Sequence, residues 1–148
     1  MACHVSVTVM TEQVVGDIGD DWKYSINLSV TNDGVTQTPL WSPLSIGEHR
    51  IKPNANPAPP PSHPVLPMDA GDCASAAYVN IDVAANEVDV FRDDPGRGTA
   101  RIPIECPGPS GPRSSLIHKM AIDVSEKPGI FGGQAQLILE LKIEAWCQ

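Results

Sequence analysis

Three aspartates fall within five residues in 16-GDIGDDWKYSINL-28: Asp17, Asp20 and Asp21. Carboxylates crowded on one turn repel each other unless water, a cationic side chain or a metal ion relieves them. A second acidic group stands at 93-DDPGRG-98, where Asp93 and Asp94 are adjacent, and a looser third at 69-DAGD-72. Several short-spaced carboxylates supply the hard oxygen ligands that Ca²⁺ requires. The chemistry open to Asp17, Asp20, Asp21, Asp93 and Asp94 is therefore calcium binding, provided that their loops meet at one end of the fold. The plainer reading is three solvated acidic turns, since Asp and Gly are ordinary turn residues. Trp22 follows the first acidic loop directly. It is either a core aromatic or a side chain at a binding mouth, where its ring and its N–H would both be used.

The elements that must carry these loops are read from period-two alternation. In 4-HVSVTV-9 the valines share one face, and in 23-KYSINLSV-30 Tyr24, Ile26, Leu28 and Val30 do the same. Further strands are expected at 44–51, 78–83, 87–91, 100–106, 115–124 and 135–146. Pro103 marks the strand at 100–106 as an edge or a bulge. The last segment also has helix-forming residues, but its strict alternation of Leu137, Leu139, Leu141 and Ile143 reads as a strand. Turn signals stand at Asn32-Asp33-Gly34, Ala85-Asn86 and Gly132-Gly133. The expectation is an all-β fold, a single eight-stranded antiparallel β-sandwich over residues 1–148. In such a sandwich alternate connections lie at the same end. The acidic loops follow the first, third and fifth strands, so they are expected at one pole.

Between the third and fourth strands lies a proline-rich loop at 53–67. Prolines supply no N–H to a sheet ladder and favour an extended, polyproline-like path. This segment is a surface loop or a contact arm, with Pro59, Pro60 and Pro61 as its partner-binding residues.

Composition limits the function. The net charge is −8, which argues against nucleic acid as a partner and against unassisted attraction to anionic lipid. Neither a leader peptide nor an apolar run of membrane-spanning length is visible. The expected location is the cytoplasm or an assembled particle. Cys3, Cys73, Cys106 and Cys147 form no C-x-x-C pair, which disfavours zinc. They are expected as reduced thiols, with a Cys3–Cys147 bond as the alternative if the terminal strands lie side by side. His118 shares a strand face with Leu116, Met120 and Ile122 and is read as structural. No nucleophile elbow, metalloprotease helix, phosphate loop or dinucleotide fingerprint occurs, so no enzymatic activity is expected.

The stretch 17-DIGDDWKYSINL-28 resembles the first calcium loop and following strand of the C-two domain family, the calcium- and lipid-binding β-sandwiches. The stretch 88-VDVFRDDPGRGTARIPI-104 is similar to that family's third calcium loop. The resemblance implies that Asp17 and Asp21 are first-loop ligands and that Asp93 and Asp94 stand where the third-loop pair belongs. Here that pair is adjacent rather than separated by one residue. The functional expectation is a non-enzymatic binding module with calcium as cofactor, acting on a protein partner or on a membrane bridged by calcium. The alternative is a structural or assembly protein, a particle subunit or decoration, that uses the proline-rich segment as its arm.

Overall fold

The computed structural model describes residues 2–32, 35–36, 44–62, 65, 67–72, 76–90, 92–126 and 133–148. Nine strands occur there: β1 (Ala2–Gly16), β2 (Asp21–Asn32), β3 (Val35–Thr36), β4 (Leu44–Arg50), β5 (Met68–Asp72), β6 (Ala76–Glu87), β7 (Asp94–Glu105), β8 (Ser114–Ser125) and β9 (Gln134–Cys147). All pairings are antiparallel, as expected. The strands join in one curled sheet, in the order β3-β2-β6-β7-β8-β9-β1-β5, with β4 also on the outer edge of β2. Alternation decides which face turns inward. Ile26, Val79, Val83, Ile122, Leu137, Leu139 and Val7 are all buried in one apolar cluster. The last segment is a strand, and every second residue from Ala135 to Ala145 lies in that cluster.

The ladder is uneven. β6 pairs with β7 over its whole length, and β8 pairs likewise with β9. Between β7 and β8 the register holds only at Gly96 and Val124. Two residue types explain this. A Cβ on Gly96 would collide with Asp123 O and the Val124 side chain, so only glycine allows that close approach. Pro103 stands opposite Tyr78 of β6, and a proline cannot exchange two hydrogen bonds with that partner. Its missing N–H therefore lies on the edge facing β8, where it cannot donate. β7 is nonetheless an inner strand, between β6 and β8, so Pro103 stands beside a gap in the ladder and not on an edge strand.

One continuous segment closes the curl. Past β4, Ile51 N donates to Asp20 O at 2.8 Å. The chain then turns at Asn54, which has a φ of 59°, and crosses to β1. Asn54 N donates to Val14 O at 2.8 Å. Its side chain exchanges two hydrogen bonds with the Gly16 backbone, at 3.0 and 3.1 Å. Ala58 and Glu12 exchange backbone bonds of 2.8 and 3.1 Å. β5 then lies on the start of β1, and Asn32 Nδ2 reaches across from β2 to Ala70 O at 2.6 Å. The non-proline residues of the segment make the hydrogen bonds, because they alone carry an N–H.

Several expectations are corrected. The turn at Ala85-Asn86 does not exist: β6 runs on through Glu87, and residues 88–90 form no separate strand; Phe91 lies outside the described residues. The acidic stretch from Asp94 is the start of β7, since ladder pairing with β6 extends to Glu87 and Asp94. The 69–72 stretch is a strand on the N-terminal end of β1. Eleven residues of β1 separate Val5 from Gly16, so this third acidic group sits roughly 35 Å of strand from the first. It does not join the pole. Of the expected turns, Asp33-Gly34 and Gly132 lie outside the described residues. The terminal strands do pair, with Cys3 opposite Cys147, but Cys3 is bonded to Cys106. That disulfide replaces the reduced-thiol expectation. Cys73 lies outside the described residues. No helix among the described residues is long and apolar enough to cross a membrane.

Candidate functional site

The acidic pole is built where β1 passes to β2, β6 to β7, and β8 to β9. Its centre is a residue outside the expected set. Glu87 ends β6 and faces Asp94, the first residue of β7, and Trp22 of β2 on its other side. Both carboxylates are buried, with Glu87 4% and Asp94 3% exposed. Like charges directly opposite each other on neighbouring strands are destabilising. Glu87 Oε2 has no hydrogen-bond partner. Burial raises the Glu87 carboxyl from its ordinary 4.5 to about 7, and the charges of Asp94, Asp89, Asp21 and Glu126 push in the same direction.

The first acidic loop is the cover of this site. Gly19 has a φ of 148°, and a Cβ there would fall on the Glu87 carboxylate. The loop is held from beneath by Trp22, whose Nε1–H donates to Gly19 O at 3.2 Å. Asp21 O accepts from Val88 N at 2.7 Å, which ties this loop to the one after β6.

The structure divides the expected calcium ligands. Asp21 and Asp94 stand with Glu87 at the pole. Asp20 is paired with Arg50 at 2.8 Å, and Asp93 lies 3.6 Å from Lys23 Nζ. Asp17 is exposed. Among the described residues no group of three or more His, Cys, Asp or Glu side chains is disposed to hold a metal ion. The donor chemistry suits a hard cation, but the pole is two buried carboxylates under a ring of charged ones, not a finished cage. Trp22 is fully buried; it braces the loop from the core and is not at a mouth. In the proline segment Pro60 is buried, while Pro59 and Pro61 are exposed.

A second buried polar group went unforeseen. Glu12 accepts from the Tyr24 hydroxyl at 2.7 Å through Oε2 and lies 2.5 Å from His49 Nε2 through Oε1. His49 Nδ1 faces Gly47 O at 2.7 Å, so that nitrogen carries a proton. Burial, followed by the hydrogen bond and negative charge of Glu12, drives the Tyr24 phenol well above its usual range. The network ties β1, β2 and β4 together, and both carboxylate oxygens are used within it.

Both unforeseen residues left a trace in the sequence. Carrying the alternation of Val79, Ile81 and Val83 through Ala85 puts Glu87 on the inner face. Glu12 was hidden by the register shift between Val9 and Thr11. That irregularity moves the inward positions from Val5, Val7 and Val9 to Glu12 and Val14.

No protein-family model and no curated protein matches this chain.

Proposed function

We propose that this protein is a non-enzymatic binding module whose acidic pole takes a divalent cation, calcium by preference. The observation that carries this reading is the Glu87–Asp94 pair. A buried carboxylate with an unpartnered oxygen, facing a second one, is unfavourable unless a proton or a cation neutralises it. Asp21 and Asp89, whose charges act on Glu87, are the carboxylates that would have to move in to complete a coordination shell. Next to Asp89, Val90 is 89% exposed, so a neutralised pole would offer an apolar tip to its partner. That partner is a protein, or an anionic membrane bridged by calcium. The resemblance of the stretches 17–28 and 88–104 to the calcium loops of the C-two family supports the same reading.

The test is thermal melting with calcium, with magnesium and with chelator. Calcium at 100 times its Kd should stabilise by about 2.7 kcal/mol. Magnesium should do less, because it demands tighter octahedral geometry. Glu87→Gln and Asp21→Asn should each abolish most of the calcium effect. Superimposed parent curves at millimolar calcium would refute the cation site.

A second reading, assembly through the proline segment, is favoured by one feature. Pro59 and Pro61 are exposed on either side of buried Pro60, which makes a stiff ridge anchored to β1 through Ala58. Replacing Pro59 and Pro61 by Ser should leave the fold intact and abolish self-association. Unchanged association on size-exclusion chromatography would sink it.

A further inference from the structure

The outer face of β2, β6 and β7 carries a groove of about 710 Å³, well away from the acidic pole. Its walls are set by register. Asn27, Asp82 and Thr99 form one cross-strand row, and Ser29, Asn80 and Arg101 form the next. The row beyond contains Tyr78, which is 39% exposed although it sits on a strand. The Arg101 guanidinium lies over the Tyr78 ring at 4.2 Å from its centroid.

The polar groups are arranged in advance. Asn80 Nδ2 donates to Ser29 Oγ at 3.2 Å and to Thr31 Oγ1 at 2.9 Å. This fixes the amide and leaves its Oδ1 to accept. Asp82 is held by Arg97 through two hydrogen bonds, which keep its carboxyl below the usual range. Arg101, by contrast, has no carboxylate partner among the described residues. It is the guanidinium of this face left available to an anion.

We propose that this groove, together with Tyr78 just beyond its end, binds an acidic saccharide, with a sugar against the part of the Tyr78 ring that Arg101 leaves uncovered and Arg101 on a uronate carboxylate. The volume is within the range of small-molecule sites, about 300–1,000 Å³. A sugar ring presents an apolar C–H face and a rim of paired donors and acceptors. An exposed aromatic ring beside fixed amide and hydroxyl groups complements both. A guanidinium matches a carboxylate with two parallel hydrogen bonds, and Arg101 is already oriented by the ring. A peptide strand would need apolar pockets, and Tyr78 is the one large apolar side chain offered here.

Calorimetric titration with tetragalacturonate tests the proposal. Chelator is present throughout, so the acidic pole takes no part and failure of one site is separable from failure of the other. The parent should bind the probe, and bind it more tightly than neutral cellotetraose. Tyr78→Ala should weaken binding of both at least tenfold. Arg101→Gln should remove the preference for the acidic probe. Both residues are exposed or half-exposed, so melting curves should confirm folded variants, and Lys52→Gln, past β4 and outside the groove, should bind as the parent does. The proposal is overturned if the parent does not bind tetragalacturonate at millimolar concentration. It is equally overturned if cellotetraose binds as tightly, or if neither Tyr78→Ala nor Arg101→Gln alters binding.

Discussion

The Tyr24 hydroxyl donates a 2.7 Å hydrogen bond to Glu12 Oε2 inside the curl of the sheet, joining β2 to β1 across the interior. His49 holds the other oxygen of the same carboxylate. Removing one member strands the others. Tyr24→Phe leaves one buried oxygen without a donor and should cost about 1–3 kcal/mol. Glu12→Ala leaves the Tyr24 hydroxyl and His49 Nε2 without their shared acceptor and should cost about 3–5 kcal/mol. The double variant should lose less than the sum of the two. Denaturant unfolding of the three variants checks this. Additive losses would mean that Tyr24 and Glu12 do not interact.

Glu87 should make stability fall as pH rises. Its folded-state value of about 7 lies above its ordinary 4.5. The folded state therefore holds the proton more tightly than the unfolded chain does. The favourable contribution is fully present below about pH 4.5 and is lost as pH rises toward 7, up to about 3 kcal/mol. Glu87→Gln should flatten that slope and be the more stable protein at pH 8 without calcium. Unfolding measured from pH 4 to 8 decides it, and parallel parent and variant curves would rule out Glu87 as the titrating group.

The Cys3–Cys106 bond spans 103 residues and joins the start of β1 to the loop after β7. On the loop-entropy account a closure of that length stabilises by about 4–5 kcal/mol. The Cys3→Ser variant should melt well below the parent. A reductant should lower the parent at least as far, since Cys147 is disulfide-bonded as well. Equal melting temperatures for parent and variant under oxidising conditions would show that the bond contributes nothing.

The β7–β8 seam should be the weak line of the sheet. Continuing the register from Gly96 and Val124 would bring Pro103 opposite Ile117, where no N–H is available. Strand alternation directs the amides of Ile117 and Lys119 toward β7, and those of Leu116 and His118 toward β9. Native-state hydrogen exchange should therefore alternate along β8. Ile117 and Lys119 should exchange about tenfold faster than Leu116 and His118. Uniform protection would mean that the ladder is complete there.

The core gives the simplest contrast. Leu139 is fully buried on β9 while Glu140 is only half-buried. Leu139→Ala should cost about 2–5 kcal/mol through lost transfer energy and a cavity. Glu140→Ala should change stability by less than about 0.5 kcal/mol. Comparable losses at the two positions in denaturant unfolding would contradict an alternating strand.

What the sequence determined by itself was the set of strand faces. Alternation is a local property, because successive side chains point to opposite sides of a strand. Val5 and Val7, Ile26 and Leu28, or Leu137 and Leu139 therefore name their own inner face without knowledge of any partner. Pro103 announced a break in a ladder for the same reason, since it lacks a donor wherever it is placed. Only the tertiary structure decided which strands met and what was trapped between them. The acidic stretch at 69–72 went to the far end of β1, and Asp20 and Asp93 were drawn to Arg50 and Lys23. Glu87 met Asp94 because β6 ran on past Asn86, and Cys3 chose Cys106 over the facing Cys147. Each of these depends on register between segments distant in the chain. A shift of one residue reverses which side chains face inward, and a local pattern carries no information about its distant partner.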